Sequence, residues 1–218
     1  MIISIGLQCT NYIYKKNFKP SYFLPFDLMF ATPSFVFDML ELLLEKNMDI
    51  ELLVREHFFY CKKRANMNGS IWPAKAEHYY TSDEGFALYN EKYNVIFPHD
   101  ENNEESIDKY IRRFTRLKDI ILNTQECLFF TYTSQSSLED GNFTIDGNNV
   151  VCDVYNSLSK IYDLIGKFRN NYKMVVFDTI NEEPLHLLNE NIIYCKLKRC
   201  NYLNDLIPQM NEFKYIFE

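Results

Sequence analysis

This 218-residue chain lacks several features, and each absence removes a class of function. No apolar run approaches the ~20 residues that span a bilayer. The longest candidate, Phe35 to Leu44, is broken by Asp38 and Glu41. No charged-then-apolar leader with a small-residue cleavage site opens the chain, so a soluble, cytoplasmic protein without a membrane partner is expected. Basic residues are in deficit, 23 against 30 acidic, for a net charge of −7. That balance excludes the basic footprint of nonspecific nucleic-acid binding. Glycine is scarce, with six in all and none in a Gly-x-Gly pattern, so a phosphate-cradling loop is not expected. The cysteines at 9, 61, 127, 152, 195 and 200 include no Cys-x-x-Cys, and the four histidines fall far apart. Zinc-ligand spacing is therefore missing, and no metal or cofactor is expected. Without a leader the thiols read as reduced, and mostly as small buried hydrophobes.

What the chain does have is a large apolar share: 47% hydrophobic and 16% aromatic residues. No internal repeat, low-complexity tract or linker divides it, so residues 1–218 read as one domain. Residues 2–5 form a β-branched run too apolar for an exposed edge, which predicts a buried parallel strand. Helical signals follow from about 7 to 16, until Pro20 and Pro25 stop them. Thr32 is placed to cap a second helix with Pro33 in its first turn. Ile107, Tyr110, Ile111, Phe114, Leu117 and Ile121 recur at three and four residues, the stripe of an amphipathic helix. Cys127 to Tyr132, Met174 to Asp178 and Ile192 to Cys195 read as further buried strands, with helices over 153–171 and 201–213. Residues 48–103 predict a helical and aromatic cap, and residues 140–152 a small hairpin insertion around Asp146-Gly147. The order implies an α/β fold, a three-layer domain with a mostly parallel central sheet and a cysteine at the turn after the first strand.

That cysteine is Cys9, in Ile3-Ser4-Ile5-Gly6-Leu7-Gln8-Cys9. Open α/β sheets place binding crevices at such strand-to-helix turns, and a helix start favours a thiolate. The competing reading is a thiol that fills space behind the first strand. His99, between Pro98 and Asp100 in a polar turn, is the best-placed base; it also reads as an ordinary loop histidine. Asp27, in Pro25-Phe26-Asp27, and Asp100 compete to orient the imidazole. Adjacent side chains in extended backbone point apart, which favours Asp27 over Asp100 for His99. Asp27 also suits a bond to its own turn. Arg112, Arg113 and Arg116 lie on the polar side of the amphipathic helix, where Arg112 or Arg113 can share a face with Arg116. They read as a clamp for an anionic substrate or partner, with Arg112 and Arg116 singled out, or as a solvated face paired with Asp108 and Glu104. Gln8 is adjacent to Cys9 and suits an oxyanion donor.

The islands Ile3-Ser4-Ile5-Gly6-x-x-Cys9, Pro25-Phe26-Asp27, His99-Asp100 and Arg112-Arg113-x-x-Arg116 resemble a family of unknown function described as putative papain-like cysteine peptidases. The resemblance covers roughly residues 1–135. It departs at Leu28, where the family usually has Trp, and at Phe129-Phe130-Thr131-Tyr132, where it has Phe-Val-Arg. The resemblance implies a thiol hydrolase or acyl transferase with Cys9 and His99 as its catalytic pair, cleaving a peptide or amide bond. The papain fold itself sets its cysteine on a helix against an antiparallel sheet, which conflicts with the parallel pattern read from this chain. Two other classes fit the same composition: a carbohydrate or acyl-group transferase with its arginines on an anionic substrate, and a non-catalytic viral or bacterial interaction module. Substrate and oligomeric state are not legible in the sequence.

Overall fold

The computed structural model describes residues 1–6, 9–18, 22–29, 31–60, 63–66, 86–90, 92–93, 95–97, 100–123, 127–133, 142–145, 148–151, 154–178, 192–198 and 203–217. The chain enters through β1 (Ile2–Ser4) and α1 (Cys9–Lys15). Next come α2 (Pro33–Leu40), which runs on as a π turn over Glu41–Glu45, and α3 (Ile50–Leu53), which does the same over Val54–Phe58. Three short strands follow, β2 (Lys63–Asn66), β3 (Phe86–Asn90) and β4 (Val95–Phe97), before the long α4 (Glu104–Asn123) and β5 (Cys127–Thr133). The remainder is β6 (Asn142–Ile145), β7 (Asn148–Val151), α5 (Val154–Gly166), β8 (Tyr172–Asp178), β9 (Ile192–Lys196) and α6 (Leu203–Asn211).

The protein is an α/β domain around a four-stranded sheet in the order β1-β5-β8-β9, and every pairing in it is parallel. This is the sheet expected from the sequence, and not that of papain. The register carries one row straight across: Ile3, Phe129, Met174 and Ile192 lie side by side, all buried. Because strand side chains alternate, this row faces one layer and its neighbours face the other. Ile3, Phe129, Met174 and Val176 pack with Phe35 and Met39 of α2, Phe114 and Leu117 of α4, and Ile161 and Ile165 of α5. Val175, Phe177 and Cys195 pack instead with Tyr14 of α1 and with Leu206 and Met210 of α6. Among the described strands β1 is at the sheet's edge, yet Ile3 and Ser4 are both buried because helices cover both sides.

The local chemistry of the helices follows their residues. Thr32 Oγ1 accepts the Phe35 N–H at 3.1 Å, capping α2 with Pro33 in its first turn. Asp49 caps α3 through Leu52 N–H at 3.0 Å, and Asn103 accepts Ser106 N–H at 2.9 Å to start α4. The apolar stripe of α4 is buried at Tyr110, Phe114, Leu117 and Ile121, while its arginines take the other side. β2, β3 and β4 form a separate antiparallel sheet, and β6 pairs antiparallel with β7. No helix of the described residues is long and apolar enough to cross a membrane.

Candidate active site

The turn after β1 is built on Gly6. Its φ of +71° lies in the left-handed region, and an added Cβ would meet Val36 Cγ2 at 3.0 Å. The Thr131 hydroxyl of β5 donates to the Gly6 carbonyl at 3.4 Å, tying this turn to the C-terminal end of the next strand. Cys9 is the first residue of α1, five residues beyond Ser4. Gln8 and His99 lie outside the described residues, as do the side chain of Cys9 and the whole of His78 and His186.

Asp27 is fully buried and faces α1. Lys15 Nζ, itself 1% exposed, donates to Asp27 Oδ2 at 2.5 Å, and Leu24 N–H donates to the same oxygen at 2.8 Å. Lys15 also donates to the Tyr22 carbonyl at 2.9 Å. The turn bond that sequence reasoning held open for Asp27 is therefore made, and a lysine it did not single out holds the carboxylate as well. Asp27 Oδ1 remains buried with no hydrogen-bond partner among the described residues. Burial pushes the Asp27 carboxyl pKa up and the Lys15 ammonium pKa down, and each charge opposes the other's shift. The following residue, Leu28, has a φ of 62°, a conformation rare for a side chain with a Cβ, at the end of this loop.

The arginines of α4 hold the same loop. Arg116 donates to the Phe23 carbonyl at 2.9 Å and lies 5.4 Å from the Tyr22 ring. Arg113 lies over the rings of Phe23 and Tyr110, at 5.0 and 5.2 Å. Arg112 is exposed, without an ion pair among the described residues. The pairing of these arginines with Glu104 is not made; Glu104 pairs instead with Arg55, at 2.7 Å. Phe23 in turn stacks on Tyr12 of α1, centroids 4.4 Å apart.

Asp100, beside His99, is anchored by α4. Tyr110 donates to its Oδ2 at 2.5 Å, and Lys109 to its Oδ1. Both oxygens are thus engaged, whereas Asp27 keeps one open. The contacts form a continuous path from Tyr12 through Phe23, Arg113 and Tyr110 to Asp100. Lys15 is what the sequence reading missed, together with the role of Tyr110, read there only as core, as the anchor of Asp100. Their signal is only three-dimensional, apart from the need of a buried Asp27 for a counter-charge.

Other reactive groups are less suited to chemistry. Cys195 is buried in β9, which pushes its thiol up to about 12. Cys127 is buried at the start of β5, where Arg169 donates to its Sγ. His57 Nδ1 lies 2.8 Å from the Tyr93 hydroxyl and 3.2 Å from Lys92 Nζ, both donors, so it acts as an acceptor. Burial, then the Lys92 charge, lowers its pKa. Asp178, at the C-terminal end of β8, accepts the Tyr155 hydroxyl at 2.8 Å. Among the described residues no group of three or more His, Cys, Asp or Glu is placed to hold a metal.

Residues 1–161 match the family described as putative papain-like cysteine peptidase (DUF1796), and the chain belongs to that family. The match runs past the last motif through β6 and β7 into α5. No curated protein and no solved structure matches the chain.

Proposed function

We propose that this protein is a thiol-dependent hydrolase or acyl transferase, with Cys9 as nucleophile, His99 as its base and Asp27 as the group that orients the imidazole. Cys9 attacks an acyl carbon and forms an acyl-enzyme, and His99 takes the thiol proton and returns it to the leaving amine. Water or an acceptor then releases the acyl group. Gln8 contributes a donor to the developing oxyanion, and Arg112 and Arg116 lie on the substrate side.

One observation carries this reading. Three of the four sequence islands, far apart in the chain, share a single contact network with the helix that Cys9 opens: Asp27, Asp100, Arg113 and Arg116 are joined through Tyr12, Lys15, Phe23 and Tyr110. A structural role alone does not ask for a fully buried ion pair, which is often no more stabilising than an apolar pair. Among the described residues Asp27 Oδ1 is a buried acceptor without a donor. An imidazole N–H satisfies it, with Lys15 fixing the carboxylate from the other side. Membership of the family supports amide or peptide substrates.

The test is covalent trapping. Wild type is incubated with a panel of peptide and acyl thioesters and digested, and the modified peptides are mapped by mass spectrometry. Acylation at Cys9, lost in His99→Ala, is expected. Acylation spread over several cysteines, or unchanged in His99→Ala, contradicts the reading.

A further inference from the structure

Arg113 is held more firmly than a solvated helix residue requires. One of its ring partners, Phe23, is stacked on Tyr12 with an interplanar angle of 22°. The other, Tyr110, is fixed by its hydroxyl bond to Asp100 at 2.5 Å. A guanidinium carries its N–H groups in its own plane, as a fork matched to two oxygens, and here its central carbon is held over two anchored rings. Yet Arg113 makes no hydrogen bond or ion pair among the described residues, although it is only half-buried.

The nearby carboxylates do not serve it. Asp27 gives one oxygen to Lys15 and Leu24 and has its other oxygen buried, and Asp100 is engaged by Lys109 and Tyr110. Lys15 and Arg116 add positive charge, and Lys15 feels both Arg113 and Arg116 as repulsion. Leaving aside the Asp100–Lys109 pair, three cations converge on the one carboxylate of Asp27, in a chain whose net charge is −7. Among the described residues this local surplus has no further carboxylate to balance it.

We propose that Arg113 is an oxyanion-binding residue: its fork holds a carboxylate or phosphate carried by the substrate. The role of that anion in positioning an acyl group rests on the thiol chemistry proposed above, but the anion site itself stands on Arg113 and its rings. Carboxylate and phosphate share the two-oxygen geometry that the fork recognises, and the experiment separates them.

The full-length protein is titrated by calorimetry with glutarate and, separately, with inorganic phosphate, at constant ionic strength. Saturable binding at about millimolar concentration of one or both is expected in wild type. Arg113→Gln should weaken it about tenfold or more. Arg113→Lys, which keeps charge and ring contact but loses the fork, should also bind more weakly, and it serves if Arg113→Gln does not fold. Lys167→Gln removes the same charge at a distant exposed pair with Glu45 and should bind as wild type does. Preference for glutarate assigns a carboxylate substrate; preference for phosphate assigns a phosphorylated one. No saturable binding of either, or equal binding in wild type and both Arg113 variants, overturns the proposal. Binding retained in Cys9→Ala, with no acylation of Cys9 in wild type, would leave the anion site standing while the thiol reading fails.

Discussion

Phe26 and Asp27 are consecutive and equally hidden, at 0% and 1% exposure, yet they enter opposite kinds of interior. Phe26 joins a ring cluster with Phe35, Phe58 and Phe114, at centroid distances of 6.5, 6.1 and 5.9 Å, mostly edge-on. That side resembles any close-packed core, where burial itself is the stabilising term. Asp27 enters a pocket of charge closed by Lys15, with Arg113 and Arg116 behind it. There burial is a cost, offset only by pairing. One residue step thus passes from an interior that explains its own existence to one that needs another reason. The loop that makes this step is bridged on both sides, by Tyr12 of α1 and by the arginines of α4. The apolar side fixes where the loop sits, and the charged side is where chemistry is proposed.

The largest expected effects come from breaking either half of this contrast. Phe26→Ala should cost about 3–5 kcal/mol in denaturant unfolding, through lost burial and a cavity. Lys15→Met should cost about as much, because it leaves Asp27 as an uncompensated buried charge. The two halves separate in the double variant. Lys15→Met with Asp27→Leu should regain most of the loss, and simple addition of the two single effects would refute the buried-pair account.

pH sharpens the comparison next. Burial raises the Asp27 pKa above its unfolded value, and Lys15 is the main charge that opposes the shift. Removing Lys15 raises it further. A carboxyl with a raised folded pKa is penalised when ionised, so the deficit of Lys15→Met is largest at neutral pH. It should shrink as pH falls through the folded pKa and vanish below the unfolded one, near the ordinary ~3.9. Phe26→Ala, a cavity variant, should show no such slope relative to wild type.

The smallest effect is at the rim. Arg116→Ala removes an exposed contact to the Phe23 carbonyl and should change stability by no more than about 1 kcal/mol. A loss several times larger would place Arg116 with the buried group rather than at its edge.

Much of the apolar half was legible in the sequence. The stripe of α4 and the runs of β5, β8 and β9 announce themselves by periodicity, and Thr32 with Pro33 is a local signal for the start of α2. Residues near in sequence decide such elements. The edge position of β1 was not legible, because its burial comes from helices that cover both faces, a matter of tertiary arrangement. The Lys15–Asp27 pair was hidden for the same reason: twelve residues and a proline-rich loop separate its partners. Asp27 itself was visible through its motif, but its partner was not. The arginines looked like a solvated face because nothing in a single helix reveals that Phe23 and Tyr22 lie across it.

The central claim is that Cys9 works with His99, steadied by Asp27. The most direct test is the pH dependence of Cys9 alkylation by iodoacetamide, read by peptide mass in wild type, His99→Ala and Asp27→Asn. The account predicts a wild-type apparent pKa well below the ~8.5 of a free thiol, rising towards that value in His99→Ala and part of the way in Asp27→Asn. A Cys9 that titrates like a free thiol in all three proteins, or does not react at all, would contradict it.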